Sequence, residues 1–326
     1  LAEKDEKICG VLPTAHVHLP FRPGSLVSLP YCDVGGILAD SDDIASSLLR
    51  FVCQYASEQR IPTLELRLPS SSLSHFFNNS ITQSPNTSSE IGPATRNPQP
   101  SSNKVRMLLT LPESSDALMS SFKSKLRSQV RKPGKDGLYA RLGGIELVDD
   151  FYPVFAENMR DLGSPVHNKN WIMSVLKVYG PRAKCGLVRM PNGAPAAAGI
   201  ILLHERTVSI PWASSLRRFN RSNPNMLLYW TFLEYAADSG YQLFDFGRST
   251  PGEGTFKFKE QWGAEPQALH WIQLDTKTGN AGPNIQHNEG HQSQSRSRYA
   301  AERVIQSLPV SMATFVGSHL RKYISL

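Results

Sequence analysis

The sequence predicts a mixed α/β protein built from two related halves, and three observations carry that expectation. Ser28-Leu29-Pro30-Tyr31 recurs as Ser209-Ile210-Pro211-Trp212, and each copy leads through a loop and a helix to another strand. Those final strands both read apolar-acid-apolar, as Leu64-Glu65-Leu66 and Phe244-Asp245-Phe246. The second half then gives a complete alternation of strand-like and helix-like stretches. Two long, weakly similar copies point to a duplicated domain, because a solenoid needs more repeats.

In the first half, 42–59 is expected to be a helix and 63–67 a strand. Residues 1–113 form a partial first domain. The chain opens at Leu1 in strand-like sequence, so this domain is read as lacking its beginning. The tract 69–103 is dominated by Ser, Asn, Thr and Pro and buries too little apolar surface to offset its ordering entropy. It is read as a disordered insertion between strands 63–68 and 104–111, both expected in one sheet.

Residues 114–275 form the second domain. A strand is expected at 138–147 and a helix at 150–162, with Phe151, Val154, Phe155 and Leu162 on one face and Gly163 as its stop. A second helix, 170–179, ends at Gly180-Pro181. Strands 184–190 and 196–203 flank Asn192-Gly193 as a hairpin, and 207–213 completes a meander. Asn223 at the N-cap and Pro224 at the first helical position start a helix over 224–238 that is apolar nearly all round and therefore buried against the sheet. Strands at 242–247 and 268–275 finish the domain. A flexible linker, 276–298, and a C-terminal amphipathic helix, 299–326, follow.

With 326 residues, 40% of them hydrophobic, the chain can fill two cores. Cys9, Cys32, Cys53 and Cys185 lie far apart, without C-x-x-C pairs or nearby histidines at ligand spacing. That argues against a disulfide framework or a zinc site, so no metal is expected. No apolar run reaches membrane-spanning length, and 304–326 reads as a surface-lying amphipathic piece. A cytoplasmic protein, able to touch the inner membrane face, is the expectation. The net charge of +7 and pI near 9.2 favour anionic partners. There is no nucleophile elbow, Walker lysine loop, H-E-x-x-H or dinucleotide glycine fingerprint, which leaves chemistry that works by positioning and charge stabilisation.

Three stretches are candidates for that chemistry. After Ser214 and Ser215 come Arg217, Arg218 and Arg221, then Asn223 and Asn225 at a helix start. Cations beside free helix N–H groups suit a phosphate or pyrophosphate, although a merely basic surface loop has the same composition. In FDFGRSTPGEGTFKFKEQWG (244–263), Asp245 can take a proton from an amine, orient it, or form a structural ion pair with Arg248. Lys257 or Lys259 suits an oxyanion if the aromatic neighbours Phe258 and Trp262 bury the stems, and otherwise lies on a solvated face. Arg160 and Asp161 end a helix before a sharp turn. There Arg160 can grip a ligand carboxylate or phosphate or complement the helix dipole. A basic ridge, Lys123, Arg127 and Arg131, runs beside the apolar face Phe122, Leu126 and Val130.

The stretches KLRSQVRKPGKDGL, ELVDDFYPVFAENMRDLGSP, PWASSLRRFN, NMLLYW and FDFGRST…FKFKEQWGAEP resemble FemAB-related proteins, as do KICGVLP and LVSLPYCDVGGILA upstream. The closest kind are associated with PEP-CTERM/exosortase and exopolysaccharide clusters. The resemblance implies tandem GNAT-like domains, the first incomplete, with a BioF2-like acetyltransferase second domain. It also implies transfer of an acyl or aminoacyl group to an amine. The implied donor is acyl-CoA or aminoacyl-tRNA, bound near Arg217, Arg218, Arg221, Asn223 and Asn225. The acceptor is a small molecule, an amino sugar or a cell-envelope precursor, held by Arg160, Asp161, Ser214, Ser215, Trp230, Arg248, Lys257, Phe258 and Trp262. Asp245 and Lys259 carry the chemistry, Lys259 by the match of Phe258-Lys259 to the family's Phe-Lys pair. The lack of a coiled-coil arm leaves tRNA as partner in question, and a degenerate, non-catalytic polysaccharide-binding protein is the rival reading.

Overall fold

The computed structural model describes residues 1–17, 24–68, 104–276 and 296–324. The sequence expectations for 69–103 and for most of 276–298 lie outside them. The chain divides into two units: one holds Leu1–Lys104 with the return segment from Ala268, the other Val105–Gln267 with the C-terminal helices.

The first unit has a three-stranded sheet of β1 (Ala2–Lys4), β2 (Lys7–Val11) and β5 (Leu38–Ala39), ordered β1-β2-β5. It also has a four-stranded sheet of β3 (Ala15–Val17), β4 (Ser25–Val27), β6 (Thr63–Leu68) and β14 (His270–Asp275), ordered β14-β6-β4-β3. Helix α1 (Asp42–Glu58) crosses between the parallel pair β4 and β6. Ser41 caps it, and Ala45, Leu48, Leu49, Val52 and Ala56 are its buried stripe. Arg67 is 1% exposed but fully engaged. It pairs with Glu65, donates to the Cys32 carbonyl at 2.8 Å and lies 4.3 Å from the Trp271 ring centre.

The second unit is organised on a seven-stranded sheet. Its members are β7 (Val105–Thr110), β8 (Tyr139–Gly143), β9 (Ala183–Arg189), β10 (Pro195–Leu203), β11 (Thr207–Ser215), β12 (Leu243–Ser249) and β13 (Glu265–Ala268), in the order β13-β7-β12-β11-β10-β9-β8. Alternation along β10 serves two cores. Ala197, Ile201 and Leu203 face α2 (Ser115–Ser121), α3 (Ser124–Lys135) and α6 (Pro224–Asp238). Ala198, Ile200 and Leu202 face α4 (Val148–Asp161) and α5 (Lys169–Tyr179). Gly186 and Gly199 are register partners on β9 and β10, and the Phe232 ring of α6 occupies the space their missing side chains leave.

Both units repeat one motif: an antiparallel pair (β3-β4, β10-β11), a crossover helix (α1, α6), then a parallel strand (β6, β12). The duplication read from the S-[LI]-P-[YW] boxes is thus a structural one. The assignment of the strands flanking it is corrected. The sequence pattern places 104–111 in the sheet of 63–68, and 268–275 at the end of the second domain. Instead β7 pairs with β12, and β14 pairs with β6, so each unit receives the strand that follows the other's parallel strand in the chain. The expected 268–275 strand also divides into β13 and β14, in different sheets. Alternation fixes which face a strand buries but leaves its partner open, and the similar β6 and β12 are interchangeable templates at that level.

The expected single C-terminal helix is two, α8 (Arg296–Ser307) and α9 (Val310–Leu320), broken at Pro309, which cannot donate to the preceding turn. Arg296–Arg298, read as linker, start α8. Just beyond α9, Arg321 Nε donates to His167 Nε2 at 3.1 Å, while His167 stacks on Trp171 at 4.1 Å between ring centres. Burial, then the neighbouring Arg321 charge, push the His167 imidazole down to about 3. The folded ring stays neutral where the unfolded one protonates below about 6.5. Its contribution is complete above that pH and is lost as pH falls toward the folded value, by at most about 1.4 kcal/mol per pH unit. Urea denaturation from neutral to acidic pH is expected to show a steeper loss of stability in the parent than in His167→Gln.

Candidate active site

Strands β11 and β12 run parallel only over Thr207–Ser209 and Leu243–Asp245. Beyond that point they part, for reasons local to each strand. Against β10, the register of β11 shifts between Ser209 and Trp212, a bulge that contains Pro211, which has no N–H to give a ladder. In β12 the register to β7 shifts between Asp245 and Arg248, around Gly247 with φ +72°. The left-handed backbone there is open to glycine and costly for other residues.

The β12 bulge is held by charged side chains. Asp245 Oδ1 accepts from the Gly247 N–H at 2.8 Å, and Oδ2 accepts from Arg106 Nε at 2.7 Å. Lys259 is 8% exposed, and its ammonium donates to the carbonyls of Gly247 at 3.1 Å and Arg248 at 2.7 Å. The ion pair weighed for Asp245 with Arg248 therefore forms with Arg106 of β7, a residue far away in sequence. The Lys-Phe-Lys run lies on a short helix, α7 (Gly254–Glu260), and Phe258 meets Trp262, four residues on, edge-on at 6.3 Å between ring centres.

At the end of β11 lies a cavity of about 170 Å³, lined by Asn158, Ala213, Ser214, Ser215, Asn225, Leu228, Tyr229 and Phe258. Asn158 Nδ2 donates to Ser214 Oγ at 3.1 Å. Tyr229 stacks on Phe246, 5.7 Å between centres, and meets Phe258 edge-on at 4.9 Å. Burial drives its phenol pKa upward, so at neutral pH it keeps its proton. Asn225 belongs to the first turn of α6. The N-cap, Asn223, sits at φ +53° and makes no side-chain capping bond.

Of the residues singled out in the sequence, Ser214, Ser215, Asn225 and Phe258 meet in this cavity. Arg160, Asp161, Arg217 and Arg218 form an ionic cluster on the end of α4 and the 3-10 turn after β11. Arg160 Nε donates to Asp161 Oδ1 at 2.7 Å, Arg217 to the Asp161 carbonyl at 2.9 Å, and Arg218 pairs with Glu157. Arg217 and Arg218 keep more than half their side-chain surface in solvent, so these pairs hold them weakly. Arg221 is exposed, and its carbonyl accepts from Lys132. Lys257 and Trp262 line a different, larger cavity of about 960 Å³, beside Leu111, Phe122, Lys123 and Lys125. Trp230 meets Phe122 edge-on. Asp245, Arg248 and Lys259 line neither cavity. Sequence reasoning missed Asn158 and Tyr229; the spacing of four between Asn225 and Tyr229 was the available signal. Among the described residues, no group of three or more His, Cys, Asp or Glu could hold a metal ion, and no helix is long and apolar enough to cross a membrane.

Residues 120–260 match the family described as acetyltransferase (GNAT) domain. No curated protein sequence matches the chain. Among solved structures, FemX is similar at 13% identity and a TM-score of 0.61, covering 82% of this chain and 84% of FemX. The C-terminal domain of a protein described as a putative lysylphosphatidylglycerol synthetase, from Agrobacterium fabrum, has 11% identity and a TM-score of 0.56, with 81% and 80% covered. L-PGS from Bacillus licheniformis has 10% identity and a TM-score of 0.55, with 92% and 87% covered. At these identities the likeness is one of fold. Residues 120–260 of this mixed α/β chain are thus similar to a GNAT acetyltransferase domain, and the fold as a whole is similar to that of FemX.

Proposed function

We propose that the second unit transfers an acyl or aminoacyl group from an activated donor, acyl-CoA or aminoacyl-tRNA, to an amine. The observation that carries this reading is the cavity at the end of β11, past the point where it parts from β12, with the first turn of α6 on its wall. The donor's phosphates lie against that helix start and against Arg217, Arg218 and Arg221; the ion pairs of Arg217 and Arg218 are easily exchanged. At about 170 Å³ the cavity is smaller than a whole-ligand site and suits the reacting end of a donor. The amine nitrogen bonds to the donor's carbonyl carbon, the bond to sulfur or oxygen breaks, and the amine's surplus proton leaves to solvent. The Tyr229 phenol donates its proton to the departing group and regains one from solvent, which has taken the amine's, so that the phenol is restored; Ser214 and Asn158 orient the carbonyl. In this reading Asp245 and Lys259 position β12 and make no contact with the reacting atoms. The resemblance to FemAB-related proteins favours an amino sugar or cell-envelope precursor as the acceptor.

The names of the neighbours, FemX and lysylphosphatidylglycerol synthetase, favour an aminoacyl donor. The rival, a non-catalytic binding protein, draws on one observation, the commitment of both Asp245 and Lys259 to holding the β12 bulge. Thermal shift against a panel of acyl-CoAs and aminoacyl-tRNAs, followed by turnover with amine acceptors, separates these. A true donor raises the melting temperature, and Tyr229→Phe lowers turnover by roughly 10²-fold with little change in that shift. A tRNA donor weakens steeply with salt. Undiminished turnover in both Tyr229→Phe and Arg217→Ala would remove this assignment of the site.

A further inference from the structure

Helix α9 is docked with its small residues inward and its large ones outward. Ala313 is 5% exposed, and a Cβ at Gly317 would stand 2.7 Å from the Val166 nitrogen, so the helix lies close against the 165–166 backbone. Outward lie Met312, Phe315, Val316 and Leu320, of which Phe315 is 68% exposed. The spacing of three to four makes them one stripe. Val304 of α8 is 58% exposed as well. A helix whose only partner were the protein core would bury the large side chains and expose the small ones. A continuous stripe of large exposed apolar residues marks a surface that another phase or molecule covers.

The charge of the sequence that carries this stripe identifies the cover. Between 296 and 322 the chain has five cations, Arg296, Arg298, Arg303, Arg321 and Lys322, against the single anion Glu302, a net charge of +4. An apolar stripe within a cationic segment of chain is complementary to an anionic phospholipid surface. At 11 residues α9 is about 16 Å long, too short to span a bilayer and suited to lie in its interface. We infer that the outer face of α9, with Val304, seats this protein on an anionic membrane surface. The turn between α8 and α9 meets α4 where Arg160 donates to the Leu308 carbonyl, beside the Asp161 that also holds Arg217. Membrane seating therefore reaches the fold at the arginine cluster. The inference does not depend on the transfer reaction proposed above.

The test is co-sedimentation of the full chain with phosphatidylcholine vesicles that contain or lack phosphatidylglycerol. Binding is expected with phosphatidylglycerol, weakened by added salt, and reduced about tenfold or more in Phe315→Glu. Phe315→Trp is expected to bind like the parent and to shift its emission to the blue on vesicles. Vesicle binding unaffected by Phe315→Glu, no binding by the parent, or an emission that vesicles leave unshifted in Phe315→Trp would overturn the proposal. So would a parent dimer that Phe315→Glu dissociates, because the stripe would then be covered by a second copy.

Discussion

Asp245→Ala is expected to destabilise the second unit by roughly 2–4 kcal/mol. Two partners lose their acceptor at once: the Gly247 N–H, which fixes the bulge, and the Arg106 guanidinium. Arg106 remains 24% exposed, so solvent recovers part of the ion-pair loss and holds the cost below that for a fully buried pair. Asp245→Asn keeps an oxygen for Gly247 and loses the charge pairing, so it should retain about half of the stabilisation. Adding Arg106→Met to Asp245→Ala should cost less than the two single effects summed, which is the signature of direct coupling. Calorimetric melting of the parent and these variants decides this. A chain with Asp245→Ala that melts like the parent but has lost turnover would make Asp245 a chemical participant.

A larger effect is expected in the core, where Phe232→Ala should cost about 3–5 kcal/mol. The ring is wholly buried and occupies the notch formed by Gly186 and Gly199. A larger residue at Gly199 cannot refill the space, because a Cβ there would stand 2.9 Å from the Trp212 carbonyl oxygen. Gly186 differs: its added Cβ would meet only side chains, Phe232 at 2.5 Å and Leu228 at 3.2 Å. Gly186→Ala alone should therefore cost about 1–3 kcal/mol by overpacking and become nearly neutral alongside Phe232→Leu. Denaturant titration reads both. Asn225 and Tyr229 stand on the same helix, so loosening this anchor should also weaken ligand binding in the small cavity.

Much of the framework was legible because local chemistry specifies it. Asn223-Pro224 placed the start of α6, and the two S-[LI]-P-[YW] boxes marked the repeated strand, helix and strand. Ser214, Ser215 and Phe258, expected to hold the acceptor, and Asn225, expected to hold the donor, line one cavity, a grouping the sequence did not show. Legibility ended where a partner lies far off in sequence. Arg248 was the nearby candidate for Asp245, and Arg106, 139 residues away, gave no local sign. Tyr229 was hidden for another reason: on a helix apolar nearly all round, its ring reads as core and its hydroxyl goes unnoticed. The traded strands were invisible on both counts, being distant in sequence and equally apolar in either sheet.

That trade has a practical consequence for anyone dissecting the protein. A cut between 113 and 114, the boundary that composition suggests, would strip β12 of the neighbour carrying Arg106 and leave the bared edge free to pair with other molecules. The excised piece would also drag along β14, whose own template stays behind. Neither half can be expected to behave as an autonomous module when expressed alone, and co-expressed fragments should recover foldedness only if both carry their borrowed strands.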